Sequence, residues 1–328
     1  MKNRKKEHLE IVMNEDVMHS YNYWDDFMLL HDALPEINID EIDLSTEILG
    51  KKISMPLIIA GMTGGFEEAK PINEKLAKIA EKYRIGMGVG SQRAGIESKE
   101  AEESYSVVKK YKIPLRIANV GVPQLLYWDI EKVNEAIEMI DAHAIAIHLN
   151  FLQEVVQPEG DRNAKGCLKV IKDVASSLEK PVIIKETGAG ISRKVVEKLL
   201  DTDIVAIDVG GASGTSFSAV ESYRAKKIKD RIQEEIGKIF WDWGIPTPYC
   251  LIEISEICRN AGIEVIATGG IRHGLDVAKS IALGADCAGV ASAILKSTSM
   301  EEKMEIFRKS LLFSMFLTGC KKIEELRE

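Results

Sequence analysis

Eight short apolar runs, most of them marked off by glycine or proline and separated by amphipathic segments, constrain this chain more than any other feature. The runs are "PLIIAGM" from Pro56, "IGMGVGS" from Ile85, "PLRIANVG" from Pro114, "AIAIHLN" from Ala144, "PVIIKET" from Pro181, "IVAIDVG" from Ile204, "EVIATGG" from Glu264 and "CAGVASAIL" from Cys287. They are β-branched and almost continuously apolar, which is the pattern of strands buried on both faces of a parallel sheet. Between them, "AKPINEKLAKIAEKYR" and "DIEKVNEAIEMIDA" place apolar residues three and four apart, as a core-facing helix requires. Eight such units predict an α/β fold closed on itself, a (β/α)8 TIM barrel. The residues before Ile53 and the stretch from Phe217 to Thr247 fit no unit. They are expected to form an N-terminal cap segment and an insertion after strand six. No linker rich in Pro, Gly or Ser divides the chain, so residues 1–328 read as a single domain, and 45% hydrophobic content is enough to fill its core.

Composition excludes several functions. A net charge of -8 argues against a nucleic-acid partner, because phosphate backbones require clustered Lys and Arg. Basic chemistry must therefore be local. Cys167, Cys250, Cys258, Cys287 and Cys320 are widely spaced with no CxxC pair, the usage of reduced, buried thiols in a cytoplasm. The basic start "MKNRKKEHLEIVMN" has no apolar stretch behind it, and no segment reaches the roughly 18 apolar residues of a membrane span. A cytoplasmic protein with no membrane attachment is expected.

In a barrel of this kind the chemistry lies at the C-terminal ends of the strands. Those ends carry Met62 and Thr63, Ser91 to Arg93, Asn119, His148 to Glu154, Lys185 to Thr187, Asp208 to Thr215, Thr268 to Arg272, and Ala291 with Ser292. The small residues of "ATGGIRHG" and "AGVAS", after strands seven and eight, let backbone N–H groups approach a phosphate. Gly86, Gly88 and Gly90 lie within a strand that follows a helix, which is not the context of a dinucleotide fingerprint. Lys185 ends an apolar strand, where it must find an anion or lose its charge. A structural ion pair, a Schiff base and a cation beside a flavin all satisfy that demand. The phosphate site favours the flavin.

Taken in order, "RKKEH", "AGMTGG", "GVGSQR", "ANVG", "HLNFLQEVVQPEGDRN", "IIKETGAG", "DVGGASGTSFSAVE", "DWGIPT" and "TGGIRHGLDVAKSIALGA" span nearly the whole chain. Together they resemble type 2 isopentenyl-diphosphate delta-isomerase, the FMN-dependent form. The resemblance implies interconversion of isopentenyl and dimethylallyl diphosphate in isoprenoid biosynthesis, without net redox change. It implies reduced FMN, Mg2+, NAD(P)H as reductant, and a homotetramer or larger homo-oligomer. It puts Met62, Thr63, Ser91, Asn119, Lys185, Ser213 and Thr215 around the flavin ring and ribityl chain. Gly270, Arg272, Ala291 and Ser292 would hold its phosphate. The substrate diphosphate falls to Arg4, Lys5, His8, Ser91, Gln92, Arg93, His148, Asn150 and Gln153, with Glu154 as the Mg2+ ligand. Gln153 and Lys185 are the catalytic side chains expected beside the flavin. One carboxylate suffices, since Mg2+ prefers one or two carboxylates together with phosphate oxygens.

Three rivals are weighed against this reading. An FMN-dependent oxidase of 2-hydroxy acids needs a His base at the mouth of strand six or seven, and "IDVGGASGTS" offers none there, while His273 belongs to the phosphate-side segment. A loop-cysteine nucleophile is disfavoured because Cys167 opens the helical pattern "CLKVIKDVASS". A flavin or phosphate sensor without catalysis would bind the same groups and turn nothing over.

Overall fold

The computed structural model describes residues 2–327. All eight expected strands form: β3 (Leu57–Ile59), β4 (Gly86–Gly88), β5 (Arg116–Gly121), β6 (Ala144–Leu149), β7 (Val182–Glu186), β8 (Ala206–Asp208), β9 (Glu264–Thr268) and β10 (Cys287–Val290). Every neighbouring pair is parallel, and β10 pairs with β3 to close the barrel. Alternate residues serve two cores. Ile58, Ile117, Ile183 and Ile266 fill the barrel, while Ile59, Ile145, Ile184 and Val265 pack outward under the helices. This double burial is why the strands read as unbroken apolar runs.

The cap segment contains a feature that the strand pattern did not reveal. β1 (Thr46–Ile48) and β2 (Lys51–Ile53) form an antiparallel hairpin, turned by Leu49 and Gly50 at φ 51° and 67°. Both turn positions are left-handed, the twist a tight hairpin favours. Ile48 and Ile53 then join the interior cluster as a stopper at the N-terminal end of the barrel. Only the opposite mouth is left open for chemistry.

Two other additions shape that mouth. A helix, Lys2–Asn14, precedes a strap in which His19 N–H donates to Gly214 O (2.8 Å), Asn22 Nδ2 to Gly270 O (2.9 Å) and Trp24 Nε1 to Gly269 O (2.9 Å). The strap thus fastens the loops after β8 and β9. The expected insertion is a helical pair, Phe217–Lys227 and Arg231–Ile239, and its Ala219 and Val220 pack on Ile11 of the N-terminal helix.

Candidate active site

A cavity of about 550 Å³ occupies the C-terminal mouth. Its lining includes the residues expected about a flavin, Met62, Thr63, Ser91, Asn119, Lys185, Thr215, Gly270, Ala291 and Ser292, and those expected about a diphosphate, Arg4, Lys5, His8, Arg93, His148, Asn150, Gln153 and Glu154. Side chains dispersed over nearly the whole chain are therefore brought together as the sequence suggested.

The loops after β8 and β9 meet by close backbone approach. Gly269 and Gly270 have φ of 119° and 77°. A Cβ on Gly270 would lie 2.6 Å from Ser213 O, and one on Gly269 would lie 2.3 Å from Gly211 O. Only glycine allows these two loops to meet. The resulting cradle of exposed backbone, with polar groups along the wall, suits the phosphate and ribityl chain of FMN.

Two expected contacts need correction, and a third residue, Arg272, has partners that were not expected. Gln92 does not line the cavity. Its buried amide donates from Nε2 to Ala136 O (2.7 Å) and accepts Asn119 N–H on Oε1 (2.9 Å), so it supports Asn119 from behind. Ser213 is likewise buried away from the cavity, its hydroxyl turned back to Ala212 O. It contributes backbone packing under Gly270. Arg272 lines the cavity, but its guanidinium is already committed. Nε donates to Asp276 Oδ2 (2.9 Å), while NH2 and NH1 reach Asp25 at 2.6 and 3.0 Å. Two carboxylates balance the charge that was assigned to a phosphate.

Arg4, Lys5 and Arg93 make part of the cavity lining cationic. Lys5 Nζ donates to Ser91 O (2.5 Å) and Tyr105 OH (2.7 Å), and the tyrosine hydroxyl also donates to Ser91 O (2.6 Å). Burial, with the charges of Arg4 and Arg93 adding to it, pushes the Lys5 ammonium down to about 7. Positive groups facing one another in this way form a ready site for an anion. His148 is different. Burial first, then Lys185 and Lys5, push it down to about 3, so it is neutral at physiological pH. Its Nδ1 lies 2.7 Å from Asn119 Oδ1. Asn119 Nδ2 donates to Val89 O (3.0 Å), and this network assigns the proton to Nδ1. His148 is a hydrogen-bonding wall residue and adds no charge.

At the mouth of β6 the polar stretch folds upon itself. Glu154 accepts Asn150 Nδ2 (2.9 Å) on Oε1, and Gln157 Nε2 (2.8 Å) and Asp161 N–H (2.7 Å) on Oε2. Among the described residues no group of three or more His, Cys, Asp or Glu gathers for a metal. A single oriented carboxylate fits Mg2+ when phosphate oxygens complete its shell.

Four participants had no role in the expected site, although Asp208 and Glu186 fall within its strand ends. Glu221, on the insertion helix, accepts Gln153 Nε2 (2.9 Å) and pairs with Arg224 (2.7 Å), while His8 Nε2 lies 2.8 Å from it. Burial alone would raise the Glu221 carboxyl, but His8, Arg224 and Gln153 outweigh it and hold it at about 2. Asp208 pairs with Lys185, Nζ to Oδ2 2.6 Å. Glu186 takes N–H bonds from Thr187, Gly188, Ala189 and Gly190 on one oxygen, and burial still pushes it up to about 7. The fourth is Tyr105, beneath Lys5. Only Asp208 and Glu186 carried a signal, being acidic residues at strand ends.

His273 lies outside the cavity lining and caps the helix Gly274–Ala282, and Cys167 begins a helix. Among the described residues the cavity lining therefore has no His at the mouths of β8 and β9, where a hydroxy-acid oxidase needs its base, and no loop thiol.

A closed parallel barrel with a glycine cradle where the loops after β8 and β9 meet fits the class of FMN-binding barrel enzymes. The sequence model of the FMN-dependent dehydrogenase family matches residues 161–328. The flavin-binding domain of baker's yeast flavocytochrome b2 superposes with a TM-score of 0.69 at 18% identity, covering 96% of this chain and 78% of that one. That likeness speaks to the fold. Over 99% of its length the chain is 49% identical to the isopentenyl-diphosphate delta-isomerase of Archaeoglobus fulgidus, covering 93% of it. It is 46% identical over 99% of its length to the enzyme of that name from Thermoplasma acidophilum, covering 94% of it. The chain belongs to the isopentenyl-diphosphate delta-isomerase family.

Proposed function

We propose that this enzyme interconverts isopentenyl and dimethylallyl diphosphate, with reduced FMN and Mg2+ and no net redox change. The observation that carries the reading is the pairing, within one cavity, of a cationic wall with a glycine cradle suited to FMN. Arg4, Lys5 and Arg93 bind the diphosphate, with neutral His148 and Asn150 directing hydrogen bonds to it. Glu154 shares Mg2+ with the phosphate oxygens. That clamp leaves the hydrocarbon end of the substrate toward Lys185 and Gln153.

Gln153 is a neutral amide fixed by Glu221. It orients the alkene and can pass a proton only through its hydrogen bonds. Bound and reduced, FMN supplies the proton donor and acceptor at the allylic carbons. Lys185 lines the same cavity, and its cation would favour an anionic reduced ring bound beside it.

NAD(P)H is the proposed reductant, and the cytoplasm the proposed compartment. No helix among the described residues is long and apolar enough to cross a membrane. Residues 1–328 are taken as one domain, since cap, strap and insertion all pack on a single barrel. A homotetramer or larger is proposed, supported by exposed Met28, Leu30, Ile232, Ile239 and Trp243, apolar surface that a second copy would cover. Light scattering of the FMN-loaded protein tests the assembly.

The deciding experiment is anaerobic incubation with isopentenyl diphosphate, FMN, Mg2+ and dithionite. The dimethylallyl isomer should form, and should be lost when dithionite or Mg2+ is omitted. NADPH should replace dithionite. A yellow protein that is reduced but isomerises nothing overturns the reading in favour of a sensor.

A further inference from the structure

Lys185 and Asp208 are register partners on β7 and β8, so their side chains enter the barrel at one level. The ion pair uses only one carboxylate oxygen, Oδ2. The other, Asp208 Oδ1, is buried with no hydrogen-bond partner among the described residues, and so is Thr268 Oγ1. Both residues line a second cavity of about 20 Å³. Gly61, Asn119, Lys185, Thr268 and Gly289 line this cavity and the large one alike, which puts the small cavity directly beneath the flavin side of the mouth. Asp208 lines only the lower one. Much of the remaining wall is apolar: Ile58, Ile117, Ile183 and Ile266.

The size and the chemistry select the occupant. A water needs roughly 10–15 Å³ of probe-occupied volume and two to four polar partners. No organic ligand is that small. A buried carboxylate lone pair is costly to leave without a donor, and a buried hydroxyl needs a partner as well. A single water supplies both.

We propose that this cavity is a site for one water, bridging Asp208 Oδ1 and Thr268 Oγ1 beside the Lys185 ammonium, and that Asp208 acts through this triad as a positioning residue that sets the charge offered to the flavin. The water site rests on geometry alone. The second part rests on the proposed placement of the flavin ring against Lys185. Asp208 holds the ammonium in place and offsets its charge, so the reduced, anionic ring meets less positive potential than a lone lysine would give. Asp208→Asn keeps the shape and removes the offset. Reduced FMN should then gain about tenfold in binding relative to oxidised FMN, which for a two-electron couple is a rise of ~30 mV in midpoint potential.

Two measurements on the FMN-loaded protein test this. A crystal structure that resolves waters should show one within hydrogen-bond distance of Asp208 Oδ1 and Thr268 Oγ1. It should vanish in Thr268→Val and persist in Thr268→Ser. An empty cavity in the parent protein, or a water indifferent to valine, overturns the site. Photoreduction against a reference dye gives the midpoint potential. A parental potential in Asp208→Asn with flavin bound overturns the role of Asp208 and leaves the isomerase reading intact. A parent that binds no flavin instead refutes that reading, and the water site stands or falls on the density. If Asp208→Asn fails to fold, the Thr268 variants decide: valine should shift the potential and serine restore it, and equal potentials overturn the coupling.

Discussion

Gln153 Nε2 donates to Glu221 Oε1 across 2.9 Å, joining the mouth of the fourth barrel strand to a helix inserted after the sixth. Arg224 extends the link by pairing with Glu221, with Glu159 (2.7 Å) and with Glu7 (3.2 Å) of the N-terminal helix. Cap, insertion and barrel thus share one charge network over the substrate side of the cavity.

The network has a stability signature. Glu221 is fully buried, and Glu221→Ala removes one of the three carboxylates that Arg224 pairs with, which should cost about 1.5–3 kcal/mol, read from denaturant unfolding. The sign of its pH dependence follows from its depressed pKa. The carboxyl is held at about 2 against an ordinary 4.5, so its contribution is present above 4.5 and is lost as pH falls toward 2. Glu221→Gln should flatten that acid limb. An acid limb identical to that of the parent would assign the loss to other carboxylates.

The barrel was legible in the sequence because each strand is buried on both faces and carries no ambiguity of period. The stopper hairpin was not, because three-residue strands such as Thr46–Ile48 are too short to show alternation. The cavity wall was legible through strand-end positions, which a barrel turns into geometry. Gln92 misled because adjacent residues at a strand end point in different directions: Ser91 and Arg93 face the cavity, while the amide between them faces the core. Glu221 was hidden on a helix whose place over the mouth depends on tertiary packing alone. Arg272 lines the cavity, but its partner Asp25 lies 247 positions away, beyond any local pattern.

Glu154→Gln keeps the bonds from Gln157 and Asp161 but removes the charge that suits Mg2+. Flavin binding should be unchanged, while the Mg2+ concentration for half-maximal activity should rise at least tenfold. Overlaid Mg2+ titrations of variant and parent would remove Glu154 as the ligand.

Lys5 gives the substrate affinity a pH dependence. In the free enzyme its ammonium is pushed down to about 7, first by burial and then by Arg4 and Arg93. A diphosphate binds the protonated form and raises that pKa, so affinity should fall as pH rises above 7. The kcat/KM profile should show this alkaline limb, and Lys5→Met should lower kcat/KM at pH 6 and abolish the limb. A parental limb in Lys5→Met would exclude this lysine from diphosphate binding.

Gly270→Ala tests the cradle. At φ 77° the new Cβ is strained and meets Ser213 O at 2.6 Å. The loops after β8 and β9 must part, at a cost of roughly 1–3 kcal/mol. FMN affinity should fall by ten- to a hundredfold, measured by fluorescence quenching on titration. Parental FMN affinity in a folded Gly270→Ala protein would move the phosphate elsewhere.

Lys185→Ala separates the three roles its position allowed. The ion pair with Asp208 is real, and its side chains are 11% and 9% exposed. Structural pairing and flavin contact are not exclusive, since the ammonium has three donors and Asp208 uses one. Removing the lysine leaves Asp208 buried and unpaired, so the variant should be less stable by thermal melting. It also removes the cation beside the ring, and the midpoint potential should fall, because a charged hydrogen bond to the reduced form is worth about 1–3 kcal/mol. Asp208→Asn in the same background should recover stability and only that part of the potential which the unpaired Asp208 charge had lowered, without recovering turnover. That contrast distinguishes a lysine that only neutralises Asp208 from one that acts on the flavin. If the double variant regains isomerase activity, Lys185 is a structural partner alone. A borohydride-trapped adduct on Lys185 after treatment with a carbonyl compound would instead assign it to imine chemistry.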